Sequence, residues 1–226
     1  MRFPSTPILL ACSACLLAAC GSLLTPPPEQ RQYDLGEPDR PSGQAQGERP
    51  RWPLAPTLQV RAPSWLASHA MQYRLDHRPP ASRERYVESR WAAQPAELLQ
   101  HYLARALLAN GGPGAATPGC RMKVQLDEFI QVFDSTQHSH AWLVGQIHLL
   151  APREDRIVAS RAFSQASPAP SADAPGGVLA HRATVAALSH TLSGWLDEQF
   201  SDEALLALCT QAGKARTATD RGLRTP

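Results

Sequence analysis

Apolar and polar residues alternate along this chain with two periods. Leu58 and Val60 are interleaved with Gln59 and Arg61, and Met71, Tyr73 and Leu75 with Gln72 and Arg74, which is the period of half-buried strands. Tyr86 to Trp91 is a third strand candidate. Pro95, suited to the first turn of a helix, then opens a run in which Leu98, Leu99, Tyr102, Leu103, Ala106 and Leu107 fall on one face, closed by Asn110-Gly111-Gly112-Pro113. Met122, Val124, Leu126, Ile130 and Val132 mark a long strand, Ala141 to Leu150 another, and Ile157 to Phe163 a third, with a hairpin expected at the polar link Asp134 to Ser139. A loop rich in Ser, Ala and Pro (Ser167 to Gly177) precedes a second helix whose buried side is Val178, Val185, Leu188, Leu192, Trp195 and Leu196. Three strands and a helix, repeated, predict an α+β fold: a predominantly antiparallel sheet packed by two main amphipathic helices.

These elements form one domain, residues 57–211, long enough to close a core. Residues 20–56 carry Pro26-Pro27-Pro28, Pro38, Pro41, Pro50, Pro53 and Pro56 with little apolar periodicity, and read as an extended tether. Within it Tyr33-Asp34-Leu35-Gly36 fits either a short edge strand or plain linker. Residues 212–226 read as a disordered tail.

The N-terminus has a different pattern. Arg2 precedes an apolar run from Ile8 to Leu17, the length of a signal-peptide core and too short to span a bilayer. Leu17-Ala18-Ala19-Cys20, followed by Gly21-Ser22, resembles the lipobox of bacterial lipoproteins. That resemblance implies a signal peptide at 1–19, cleavage before Cys20, a diacylglycerol thioether on its sulfur and an N-acyl chain such as palmitate. Several acyl chains together give lasting membrane attachment. Gly21 and Ser22 lack the acidic residue associated with inner-membrane retention, so the outer membrane, facing the periplasm, is the expected address. Of the five cysteines, Cys12 and Cys15 leave with the signal and Cys20 is lipidated; Cys120 and Cys209 remain, the number for one disulfide in an oxidising compartment. Two buried thiols that never meet are the alternative.

Charge narrows the function further. The whole chain has 22 Lys+Arg against 20 Asp+Glu, so no large field exists to steer nucleic acid. The nucleophile elbow, phosphate loop and His-Glu-x-x-His motif are all missing, and no catalytic residue or resident cofactor is expected beyond the covalent lipid on Cys20. His138 and His140 would share a strand face but have no third ligand in pattern, so no metal is expected. Asp127 and Glu128, adjacent on a strand, would point to opposite faces and solvate an edge. Arg74, Arg83, Arg85 and Arg90 cluster around the second and third strands, as a solvated face, as members of internal ion pairs, or as a basic surface for acidic lipid or an acidic partner. Aromatics on strands usually fill a core; Trp65-Leu66, in a loop after Pro63, is the pair expected to be exposed.

Finally, Tyr33-Asp34-Leu35-Gly36, Pro63-Ser64-Trp65-Leu66, Met71-Gln72-Tyr73-Arg74, Tyr86 with Ser89-Arg90-Trp91-Ala92, Pro95 before Leu98-Leu99, Arg161 with Phe163, and Trp195-Leu196 occur in the order found in one family. The chain resembles the ABC-type transport auxiliary lipoproteins. The resemblance implies a non-enzymatic outer-membrane lipoprotein of an intermembrane lipid transport system, with an inner-membrane ABC transporter and a periplasm-bridging MCE-domain protein as partners. Trp65, Leu66, Arg74 and Arg90 are the candidate contacts for partner or lipid. A lipid-binding shuttle, with Leu99, Leu103, Leu188 and Leu192 lining a cavity, is the second reading; a lipoprotein hydrolase is the third. A homo-oligomer remains open.

Overall fold

A computed structural model describes residues 29–38, 52–78, 80, 82–108 and 119–211. The signal peptide, Cys20, most of the proline-rich stretch and the tail expected at 212–226 lie outside them. The body begins at Arg31. Its strands are β1 (Arg31–Tyr33), β2 (Leu54–Arg61), β3 (Ala70–Leu75), β4 (Arg83–Trp91), β5 (Cys120–Phe133), β6 (Ser139–Leu150) and β7 (Ile157–Pro168); its helices are α1 (Pro95–Leu108), α2 (Ala174–Gln199) and α3 (Glu203–Gln211).

The fold is α+β, with one seven-stranded sheet: six strands in the order β1-β4-β3-β5-β6-β7, and β2 paired to β5 off that path. The long central pairs β5 with β6 and β6 with β7 are antiparallel, as is β3 with β4. Three shorter pairs are parallel: β1 with β4, and both β2 and β3 with β5. The sheet is therefore mixed, though mostly antiparallel by length. The parallel pairs arise because β2 and β3 run one after the other along a single edge of β5, β2 beside Cys120–Gln125 and β3 beside Gln131–Phe133.

The packed body starts before Thr57. Leu35, Trp52 and Leu54 belong to the core, and Leu54 is in register with Cys120. Proline is tolerated at position 56 because β2 is an edge strand whose register shifts between Leu54 and Leu58. The Tyr33 region does supply an edge strand, beginning two residues before the tetrapeptide: Arg31–Tyr33 pairs with Ser89–Trp91, and Asp34 Oδ1 then accepts the Gly36 N–H at 2.8 Å to close a turn. Gly36 takes φ +69°, where a side chain is strained.

α2 also begins earlier than periodicity indicated. Asp173 caps it by accepting the Gly176 N–H, and the adjacent proline suits the first turn. The expected 167–177 loop is thus shortened to residues 169–173, between the end of β7 and the helix start. Leu99 and Leu103 of α1 and Leu188 and Leu192 of α2 are wholly buried. They fill the helix–sheet interior.

Both helices lie on one face of the sheet, against Phe129, Leu143 and Phe163 on its inner side. The opposite face carries the alternate strand positions and no described helix. α3 contributes Cys209 as its buried residue, bonded to Cys120 at a Cα–Cα distance of 5.0 Å, so the disulfide pins the C-terminal helix beside the start of β5.

Candidate docking surfaces

The connection from β2 to β3 is a short excursion with a 3-10 turn at Ser64–Leu66. Pro63 fixes an extended entry and its carbonyl accepts the Leu66 N–H at 3.0 Å. Leu66 turns inward and is buried, while Trp65 is 53% exposed. Its backbone is nevertheless held: Gln72 Nε2 donates to the Trp65 carbonyl at 2.6 Å. Gln72 Oε1 accepts from Arg83 Nη1 at 2.8 Å, and Arg83 Nη2 reaches both oxygens of Glu128 at 2.7 and 2.8 Å. A continuous polar chain thus ties the tryptophan turn to the helix-free sheet face.

Glu128 corrects the sequence expectation. It does not solvate an edge but sits on the central strand, at a bulge between Leu126 and Glu128 that turns it onto the outer face. Arg74 shares that face. Its Nε donates to Asp76 at 2.5 Å, and that bond, with the charges of Asp76 and Glu128, raises its pKa against the opposing effect of burial; its guanidinium lies 5.2 Å from the centre of the Trp142 ring, a cation–π arrangement. Ile130, in register with Trp142, and Val132, in register with Arg74, point away from the helices yet are buried. The indole and the Arg74 stem shield them.

Arg85 and Arg90 are in register with Gln72 and Ala70 on this same face. The structure extends the set to Arg61, Arg121 and Lys123, which periodicity alone did not single out because they are distant in sequence. Arg121 and Lys123 share Asp155 at 3.1 and 3.2 Å, and both hold its carboxylate below the ordinary range. The alternating Arg121, Lys123 and Gln125 of β5 were the available signal.

Trp91 fills the core instead. Its ring meets Phe129 and His181 edge-on, and His181 stacks on Phe129 at 4.4 Å. His181 Nδ1 donates to the Gly177 carbonyl at 2.8 Å; burial pushes its pKa down to about 4, with that bond opposing the shift. Beside it Gln131 accepts from the Tyr86 hydroxyl at 3.0 Å and donates to Ser139 Oγ at 2.8 Å and to the Asp173 carbonyl at 3.2 Å. Burial raises the Tyr86 pKa. Sequence reading passed over Gln131 and His181, since a lone polar residue in an apolar run has no periodic signature. The cluster packs the helix against the sheet, with every polar atom named above bonded and His181 Nε2 buried without a hydrogen-bond partner.

His138 and His140 go to separate partners: His138 Nδ1 lies 3.1 Å from Ser135 Oγ, and His140 Nδ1 2.9 Å from Asp134 Oδ2. Among the described residues no group of three or more His, Cys, Asp or Glu side chains is placed to hold a metal ion. An open groove of about 590 Å³ runs between β2 and α1, lined by Leu58, Ala93, Leu98, His101 and Ala104. At its edge Gln100 Oε1 accepts the Val60 N–H at 3.0 Å. Among the described residues no helix is long and apolar enough to cross a membrane.

The fold has solved counterparts. It is similar to the crystal structure of protein XCC0632 from Xanthomonas campestris, described with the family model DUF330, with TM-score 0.60, 20% identity, and coverage of 76% of this chain and 98% of that one. It is also similar to the crystal structure of an uncharacterized protein, with TM-score 0.56, 15% identity, and coverage of 74% and 99%. No curated protein matches. These likenesses speak to the fold. Residues 33–193, from the first edge strand through most of α2, match the ABC-type transport auxiliary lipoprotein component, and the span includes the tryptophan turn and the cationic strands described above. With the greater part of its length inside that match, this chain belongs to the ABC-type transport auxiliary lipoprotein family.

Proposed function

We propose that this protein is a non-catalytic docking component of an intermembrane lipid transport system, anchored through lipidated Cys20 in the outer membrane and facing the periplasm. Its partners on this reading are an MCE-domain protein and, through it, an inner-membrane ABC transporter. The observation that carries the reading is the division of the body into a filled interior and held surfaces. Leu99, Leu103, Leu188 and Leu192 have no exposure, so these four leucines pack the core and do not line an acyl-chain cavity, which favours an adaptor over a shuttle. The polar side chains bond to one another rather than converge on a vacant pocket, which supports an adaptor over a hydrolase.

The early start of the body changes the proposed reach. Because β1 begins at Arg31, the lead from Cys20 is residues 21–30 and not the whole proline-rich stretch. At about 3.1 Å per extended residue it spans at most roughly 30 Å, so the body works close to the bilayer and the conduit must come to it.

Photo-crosslinkers at position 101, in the groove beside α1, and at position 179, an exposed leucine of α2, test this in intact envelopes. The MCE-domain protein should be captured from at least one of them, and Cys20→Ser should abolish the capture by releasing the chain from the membrane. Failure to capture any component of such a system from either position, or turnover of lipid esters by the purified protein, would sink the reading.

A further inference from the structure

The helix-free face of the sheet combines features that a partner-binding groove does not need. Arg61 and Lys123 lie beside one another across β2 and β5, since Gln59 pairs with Lys123 and Arg61 with Gln125. Arg74 and Arg83 face one another across β3 and β4, with Arg85 and Arg90 further along. The carboxylates bonded to these cations are Asp76, Glu128 and Asp155. Arg61, Arg85 and Arg90 therefore have no carboxylate partner among the described residues, although the whole chain is close to neutral at +2. The charge is one-sided.

The shape is also informative. With strands about 4.8 Å apart and residues about 3.4 Å apart along them, the cations are spread over a plane several strands wide and tens of ångströms long. They do not converge on one point, as they would around a single phosphate. Gln125, Gln146, Ser160, Ala162 and Ser164 on the same face are exposed and short or uncharged, which leaves that part of the sheet low in relief. At the border stands Trp65, half-exposed and fixed through Gln72 and Arg83 to this face. A tryptophan beside arginines on a flat surface suits the headgroup level of a bilayer, where an indole has both apolar and polar neighbours.

We propose that the helix-free face of the sheet, with Trp65 at its rim, lies against the anionic phospholipid headgroups of the membrane that holds the lipid anchor. The contact supplies orientation. A lipid chain alone leaves the body free to turn, whereas a second, electrostatic attachment fixes which face meets the bilayer and leaves the α1 and α2 side toward the periplasm. The proposal concerns the bilayer and not the conduit, so its test can fail while the docking role stands.

The test uses the chain from residue 20 onward, which keeps every described element, carrying Cys20→Ser so that no acyl chain contributes. Sedimentation with vesicles of phosphatidylcholine alone is compared with vesicles containing phosphatidylglycerol at about one lipid in three. Each Lys or Arg near an anionic surface is worth roughly a fivefold gain in partition. Replacing Arg61→Gln and Arg85→Gln together, both exposed, should therefore weaken binding to the anionic vesicles by about 25-fold. Added salt should weaken it further. Removing the same charge from the helix side, with Arg105→Gln and Arg182→Gln, should leave binding within about twofold. Circular dichroism of both pairs should match the parent.

Equal binding to neutral and anionic vesicles would overturn the proposal. So would a helix-side pair that loses as much binding as the sheet-side pair. Tight binding of the parent to polyglutamate with no binding to the anionic vesicles would also overturn it, by reassigning the face to an acidic protein partner.

Discussion

Replacing Cys120 and Cys209 together by alanine should destabilise the body by about 4 to 5 kcal/mol. The two cysteines are separated by 89 positions. Removing a link across a loop of that length restores to the unfolded chain an entropy worth roughly 4.6 kcal/mol at 25 °C in the loop-closure treatment. The native state loses as well, because both sulfurs are buried and Cys209 is the buried residue of α3. Leu205, Ala207 and Leu208 are half-exposed and Leu206 is exposed, so the helix has little else to hold it. Guanidinium unfolding followed by tryptophan fluorescence measures the effect: with a slope of about 4 kcal/mol per molar, the midpoint should fall by about 1 M. Limited proteolysis should cut first between Ser201 and Gln211, before the sheet opens. A reducing agent added to the parent should reproduce both changes. A double variant within about 1 kcal/mol of the parent would refute the entropy reasoning. Protein isolated from the envelope with both thiols free would refute the bond itself.

His181 makes stability depend on pH. Unfolded, the imidazole takes up its proton near pH 6.5; folded, burial holds it neutral until about pH 4. The unfolded chain thus binds more protons between those values, so the contribution is whole above pH 6.5 and is lost as pH falls toward 4, by about 3 kcal/mol. His181→Phe, which keeps the stack on Phe129, should flatten that part of a stability–pH curve, and an unchanged slope would reject the assignment. Gly177→Ala should destabilise by about 2 kcal/mol, because a Cβ there would collide with the Gln131 amide, which Tyr86, Ser139 and Asp173 hold in place. Thermal unfolding would show it, and a stabilised Gly177→Ala would mean that Gln131 moves freely.

Period decided most of the architecture at the level of sequence. The two-residue alternation of Met122, Val124 and Leu126 and the helical spacing of Leu99, Leu103 and Leu107 each specify an element and its buried side, because strand and helix geometry fix which side chains share a face. The order of those elements was enough for an α+β fold. The number of cysteines left after the signal segment and the lipidated position were set aside was enough to nominate Cys120 and Cys209. Family membership was legible too, in short motifs whose order persisted along the chain.

Long-range pairing decided the rest. Nothing local indicates that β2 and β3 share one edge of β5, that Pro56 lies in a bulged edge strand, or that residues 31–36 join the body, since each depends on a partner far away in the chain. The same holds for Glu128: its meaning changed from edge solvation to an ion pair once the bulge turned it toward Arg83. Gln131 and His181 were invisible as a pair because burial, not composition, brings them to Gly177. The one-sided basic face is likewise a tertiary fact. Arg61, Arg85 and Lys123 are ordinary surface residues in sequence, and only the register of four strands places them on one plane, where like charges in the absence of enough carboxylates create a field that an even distribution would cancel.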